Sequence, residues 1–290
     1  AVRDTLVSAL PLVASRGDID QLVKVMRSAL DGLGREINDM ANDRLIEADV
    51  AAMEKPLLGR VALVTGASRG IGKAVAERFA REGAEVVLLA RDGAALARIE
   101  EAIRQAGGIA HALARDVGST GGLAGLFGEI KALVGGLDIL VLNAGVLGDL
   151  EKLPMYTANA WDEVITVNLT SSAYLINALH PLIVRSDAGR VLFVTSGAAK
   201  VSPERWGAYA ASKAGLEALM RVYAAENCDG AIRANAVDPG EVRTGMRAAA
   251  FPNEDPNRLP TPDRITDAFV RLATPACKVT GAVIPATARE

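Results

Sequence analysis

The sequence predicts an α/β fold: a doubly wound parallel sheet with helices on both faces, preceded by a helical N-terminal extension. Short apolar runs alternate with helical stretches from Gly59 onward. Most of those runs are continuous rather than strictly alternating, which is how strands covered on both faces read. Half of the 290 residues are hydrophobic but only 4% are aromatic, so the core must be built from Ala, Val, Leu and Ile, a composition suited to such a sheet under Ala-rich helices.

Residues 1–55 read as helix alone. Ile19, Leu22, Val23, Met26, Ala29, Leu30 and Leu33 form a one-sided stripe at helical spacing that Gly32 and Gly34 end. A second helix is expected over about 35–53, with Ile37, Met40, Leu45 and Ile46, and Pro56 marks the boundary. The organisation is therefore an extension over 1–55 and a main domain over 56–290. The stripes need a surface to cover them, in the main domain or in a neighbouring subunit.

In the main domain, strands are expected at 60–65, 85–90, 109–114, 139–142, 190–195, 232–237 and 282–284. Helices are expected between them, among them 70–82, 94–106, 168–184 and 208–227. This order predicts a ligand site at the carboxyl ends of the strands.

A net charge of −3 with interspersed signs carries no basic footprint, so nucleic acid is not an expected partner. No apolar run approaches the roughly 20 residues that span a bilayer. The two cysteines, Cys228 and Cys277, fit a reducing compartment, and no Cys/His cluster forms a metal site. The chain is read as cytoplasmic.

The first strand leads into Thr65-Gly66-Ala-Ser68-Arg69-Gly70-Ile71-Gly72. Such glycines let the backbone turn sharply and approach a pyrophosphate, while the following helix offers free N–H groups. The spacing is G-x3-G-x-G, and a strand-to-helix turn needs glycine in any case. The second strand ends at Ala90-Arg91-Asp92. Asp92 lies where an acid would bond the ribose of NAD(H), or else it caps the next helix. Arg69 and Arg91 supply two cations for a 2′-phosphate and favour NADP(H). Asp116 and Val117 follow the third strand, near the adenine in this reading; Asp116 as a helix cap near Ser119 is the alternative. Asn143-Ala144-Gly145 follows the fourth strand, where small residues let a cofactor pass close, although a plain turn would look the same.

Tyr209-Ala-Ala-Ser-Lys213 puts a phenol and an ammonium four residues apart on one helix face. A nearby cation favours the phenolate and brings a group of ordinary pKa near 10 toward the working range. Ser196, just past a strand, is placed to hold a substrate oxygen, or is a turn residue.

Taken together, Thr65 to Gly72, Asn143-Ala-Gly145, Asn168, Ser196, Tyr209-x3-Lys213 and Pro239-Gly240 resemble the short-chain dehydrogenase/reductase family over about residues 57–285. The resemblance implies a Rossmann fold and a catalytic group of four. Tyr209 would be the acid/base and Ser196 would orient the carbonyl. Lys213 would hold the nicotinamide ribose and lower the tyrosine pKa, and Asn168 would support a water-linked proton relay. It further implies cofactor contacts from Pro239, Gly240, Val242 and Thr244. The substrate would be a small-molecule carbonyl or alcohol, and the assembly a homodimer or homotetramer paired through helices around 168–184 and 208–227.

Asn143-Ala-Gly-Val-Leu-Gly-Asp149, Trp206 to Lys213 and Met246 to Asp255 are similar to the bacterial YciK-type branch of that family. The extension and the C-terminal Thr280-Gly-Ala-Val-Ile-Pro-Ala-Thr-Ala depart from the family pattern. The proline-containing stretch 246–262 is expected to act as a lid or a plain surface loop, and Val146, Leu147, Trp206, Met246 and Phe251 to line an apolar pocket. His111 and His180 are expected to be structural. A cofactor-binding regulator or assembly component is the rival from another class, and the intact Tyr209, Lys213, Ser196 and Asn168 weigh against it.

Overall fold

The computed structural model describes residues 55–286, so the helices expected before Lys55 lie outside the described residues. Seven strands, β1 Val61–Thr65, β2 Glu85–Ala90, β3 Ile109–Ala114, β4 Ile139–Leu142, β5 Arg190–Val194, β6 Arg233–Asp238 and β7 Val283–Pro285, form one sheet in the order β3-β2-β1-β4-β5-β6-β7. Every pairing is parallel. The chain runs outward from β1 to β3 and then restarts at β4 beside β1. That reversal opens the crevice in which such sheets bind ligands.

The helices are α1 Gly70–Arg81, α2 Gly93–Gln105, α3 Leu126–Val134, α4 Ala158–Ile165, α5 Ser171–Ile183, the single turn α6 Ala198–Val201, α7 Gly207–Glu226, α8 Gly245–Ala250 and α9 Thr266–Ala273. Leu126 and Ile130 of α3, Leu175 and Leu179 of α5, and Leu216 and Met220 of α7 share one core with Leu63, Leu140, Val191 and Phe193 of the strands. The other face of the sheet is covered by α1, which packs against α2 and α9. Side chains alternate across a strand, so Ala62 and Val64 are buried on that second face while Leu63 serves the first.

Most expected boundaries shift by a residue. The fifth strand ends at Val194 rather than at 195, and the sixth spans Arg233–Asp238. A larger difference falls within 168–184: residues Thr166–Thr170 form a π-helical turn between α4 and α5. Asp116 caps no helix; its Oδ1 accepts the Gly118 N–H at 2.9 Å, and Ser119 precedes the next turn without a side-chain cap. Asp92 does cap α2, accepting the Ala95 N–H at 2.9 Å.

His111 pairs with Glu85 at 2.7 Å, and His180 with the Tyr223 hydroxyl at 2.9 Å, both away from the strand ends that carry the site. Cys228 is exposed and Cys277 is buried. At the amino edge of the sheet, Arg190 is fully buried. Its guanidinium donates to the carbonyls of Gly189, Thr274, Ala231, Pro275 and Cys277 at 2.8–3.1 Å. Burial pulls its pKa down to about 10, so it remains charged at neutral pH.

Candidate active site

The sequence-predicted site residues lie in the segments that follow the carboxyl ends of the strands and on α7, except Asn168, which sits on the π-helical turn before α5. Gly66, Ser68, Arg69, Gly70, Ile71 and Gly72 form the turn from β1 into α1. Gly66 and Gly70 have φ of +66° and +59°, a region that favours glycine. A Cβ at Gly66 would sit 2.8 Å from Asn143 Nδ2 and 3.0 Å from Ala144 Cα. At Gly72 it would run into the Gly66 carbonyl oxygen and the Asn143 amide. The turn is thus drawn against β4 as tightly as its lack of side chains permits. Glycine at 66 and 72 is therefore required by the packing of the turn on β4, and it leaves the backbone of the turn bare at the start of α1.

Asn143 holds the cleft from below. Its Nδ2 donates to the Thr65 carbonyl at 2.8 Å, and the Thr65 hydroxyl accepts the backbone N–H groups of Asn143 and Ala144 at 2.9 and 3.0 Å. Arg69 and Arg91 are exposed at the ends of β1 and β2. Val117 turns into the core, while Asp116 faces solvent. After β6, the Gly240 N–H donates to Asp238 Oδ1 at 3.1 Å, Val242 is buried, and Thr244 caps α8 by accepting the Arg247 N–H at 3.1 Å. The Thr244 methyl lies 3.7 Å from where a Gly70 side chain would start, so the loop after β6 closes over the glycine turn.

The chemical end of the cleft is made by β5 and α7. Tyr209 is 7% exposed. Burial pushes its phenol above the ordinary value, a hydrogen bond with Ser196 pulls it down, and the Asp238 carboxylate pushes it up. One helical turn on, Lys213 Nζ lies 5.7 Å from the tyrosine ring centroid and donates to the Val194 carbonyl at 2.8 Å. Burial pulls its pKa down to about 8. Asn168, carried on the π-helical turn, is completely buried. Its Oδ1 accepts the Val146 N–H at 2.8 Å, while Nδ2 donates to the Val146 carbonyl and to the Ser212 hydroxyl, each at 3.0 Å. A side chain at Gly145 would begin 3.3 Å from Asn168 Oδ1 and 3.6 Å from Lys213 Nζ, so these two polar groups face each other across a glycine.

Two contributors escaped the sequence reading. Ser212 donates to the Tyr209 carbonyl at 2.7 Å and joins it to Asn168. Glu217, a carboxylate buried on α7, accepts the Thr195 hydroxyl at 2.9 Å. Both fall at helical spacing from Tyr209, which is the signal that could have found them. Val194, Thr195 and Ser196 therefore meet Lys213, Glu217 and Tyr209 in turn.

The charge buried at Lys213 has a cost. Between about pH 8 and pH 10.5 the unfolded chain holds a proton that the folded chain has lost, so stability rises with pH across that window. Below it the folded chain carries a desolvated ammonium at a cost of about 3 kcal/mol, against which a hydrogen bond returns about 1 kcal/mol. Lys213→Met is therefore expected to raise unfolding free energy at pH 7 by about 2 kcal/mol. Urea denaturation reads this; a destabilised variant would refute this account of the charge.

Among the described residues no cluster of His, Cys, Asp or Glu could hold a metal ion, and no helix is long and apolar enough to cross a membrane. With this fold and site in place, residues 60–255 match the short chain dehydrogenase family model, and the chain belongs to that family of oxidoreductases. It is 38% identical to the uncharacterized oxidoreductase YciK of Escherichia coli K12 over 226 residues, 73% of this chain and 85% of that one. It is 34% identical to the 3-oxoacyl-[acyl-carrier-protein] reductase FabG of Vibrio harveyi over 78% of this chain and 94% of that protein. A short chain dehydrogenase of Shigella flexneri complexed with NADP superposes with a TM-score of 0.78 at 35% identity, covering 81% of this chain and 99% of that one.

Proposed function

We propose that this chain is an NADP(H)-dependent oxidoreductase that interconverts a carbonyl and an alcohol, with Tyr209 as acid/base. The observation that carries the reading is the convergence of Tyr209, Ser196 and Lys213 at the carboxyl ends of the strands, beside a turn that tolerates no side chain at Gly72. When bound, the nicotinamide supplies or accepts the hydride at the substrate carbon. In reduction Tyr209 Oη gives its proton to the carbonyl oxygen, which the Ser196 hydroxyl holds next to it; in oxidation the same proton is taken back. Lys213, as an ammonium, lowers the cost of the phenolate and bonds the ribose, while Asn168 keeps open a water-linked path for the replacement proton.

NADP(H) is favoured over NAD(H) because Arg69 and Arg91 are both exposed near the tip of β2, while Asp92, the acid available to a ribose hydroxyl, already accepts the Ala95 N–H through Oδ1. The bound NADP of the Shigella flexneri relative supports the same choice. Arg91→Ala and Arg69→Ala are each expected to weaken NADPH about tenfold and to leave NADH within about twofold, as loss of a charge-assisted phosphate contact would. Fluorescence titration with both cofactors measures this, and an equal loss for both would return the assignment to NAD(H).

The reading places the enzyme in the cytoplasm as a homodimer or homotetramer. Its support is the exposed Tyr174 on α5 and Val222 on α7, apolar surface on the two helices expected to pair. The test of the activity is consumption of NADPH, then NADH, with aldehydes, ketones and 3-oxoacyl thioesters. Tight NADPH binding with no turnover of any of them would favour a regulatory role.

A further inference from the structure

Trp206, three residues before Tyr209, sets its indole against the tyrosine ring at 5.6 Å and 79°. Its backbone pairs with Glu151 in an isolated parallel bridge. The other neighbour of the indole is Phe251, 5.7 Å away and tilted by 35°. Phe251 is 38% exposed, so it does not fill the core. It is nonetheless held: the Arg247 guanidinium lies over its ring at 3.9 Å. The same guanidinium donates to Glu254 through Nε at 2.7 Å and Nη2 at 2.6 Å, and to Glu241 through Nη2 at 2.9 Å. Glu241 precedes α8 and Glu254 follows it, so one planar cation gathers both flanks of the helix and the ring at its end.

A three-carbon stem ending in a fork of donors can make this set of bonds at once, and a lysine cannot. The arginine bonds both acids and offsets one of their two charges, holding them at the flanks of α8 while the two rings lie next to the phenol. From this geometry we infer that Arg247 is a positioning residue, which seats Phe251 on Trp206 so that the paired rings form a wall beside Tyr209 selective for carbonyl compounds with a planar apolar substituent. This rests on the assignment of Tyr209 as acid/base. An aromatic ring resting on such a wall gains the stacking of a third ring, whereas a short alkyl group gains less contact area.

The chain has two tryptophans, so Trp161→Phe leaves Trp206 as the sole tryptophan. In that background, with NADP+ present, emission is titrated with 1-phenylethanol and with 2-butanol, and acrylamide quenching is measured in the free protein. Preference for the aromatic alcohol is expected to be about fivefold, falling below about twofold in Arg247→Met and in Phe251→Ala. Acrylamide quenching is expected to rise about twofold in Arg247→Met, with partial return in Arg247→Lys. In turnover the same variants raise KM for acetophenone about fivefold and change kcat by less than about twofold.

No preference in the parent protein, or a preference and quenching unchanged in Arg247→Met, overturns the inference. Tyr209→Phe keeps a ring at that position and must keep the preference while losing turnover. A preserved binding preference in a protein that turns over no carbonyl would count against the proposed activity and leave the role of Arg247 standing.

Discussion

Tyr209→Phe is expected to lower kcat by about 10³-fold, the scale of a lost general acid, with NADPH affinity unchanged within about twofold. The substitution removes one oxygen from a side chain that is almost entirely buried and otherwise packed against Trp206. No cavity larger than a hydroxyl results, so the fold and the glycine turn are left as they are. Stopped-flow single turnovers with deuterated and ordinary NADPH separate the chemical step from release of product. A variant retaining a tenth of the parental rate would place the proton donor elsewhere.

A pH dependence accompanies this result. Burial holds the phenol above its usual value, so at neutral pH Tyr209 is protonated, the state that the proposed donor requires. Lys213 is charged below about 8 and neutral above it in the cofactor-free chain. Reduction, which needs both protons in place, is expected to fall as pH rises through about 8. Oxidation, which needs the phenolate, gains from rising pH until the ammonium that stabilises it is lost.

Arg190→Leu is expected to cost about 4 kcal/mol of stability, because the carbonyls it satisfies would be left buried and unpaired. The native guanidinium draws together the start of β5, the approach to β6 and the segment 274–277 that follows α9. Leucine fills part of the volume but offers no donor. Chemical denaturation measures the loss, and activity per folded molecule should be unchanged, since this network lies at the opposite edge of the sheet from Tyr209. A loss under about 1 kcal/mol would mean that water or a backbone shift satisfies those carbonyls instead.

The strands were legible because a parallel sheet leaves continuous apolar runs between glycine-bearing turns, and β2, β3 and β4 fall where the runs do. Arg190 was readable as the first residue of a strand, but its role was not, since the carbonyls it binds come from segments far away in sequence. The π-helical turn carrying Asn168 was invisible for a related reason. Thr-Val-Asn-Leu-Thr has no local signature that separates it from an α-helix, and its extra residue is accommodated by Asn168 bonding across to Val146 and Ser212. Asp92 shows the opposite case: both of its roles could be named beforehand, and the Ala95 N–H displays the capping one.

The three successive attachments of β5 to α7, through Val194, Thr195 and Ser196, have a bearing on divergence and redesign. They make the proton-handling residues an inheritable block, aligned by one strand and one helix. On the proposed reading, the choice of nucleotide and the choice of substrate belong to separate stretches, the turns after β1 and β2 for the first and the loop around α8 for the second. Grafting either stretch from a relative is then expected to leave the block aligned, so a lineage would change its chemistry's clientele while leaving the chemistry alone.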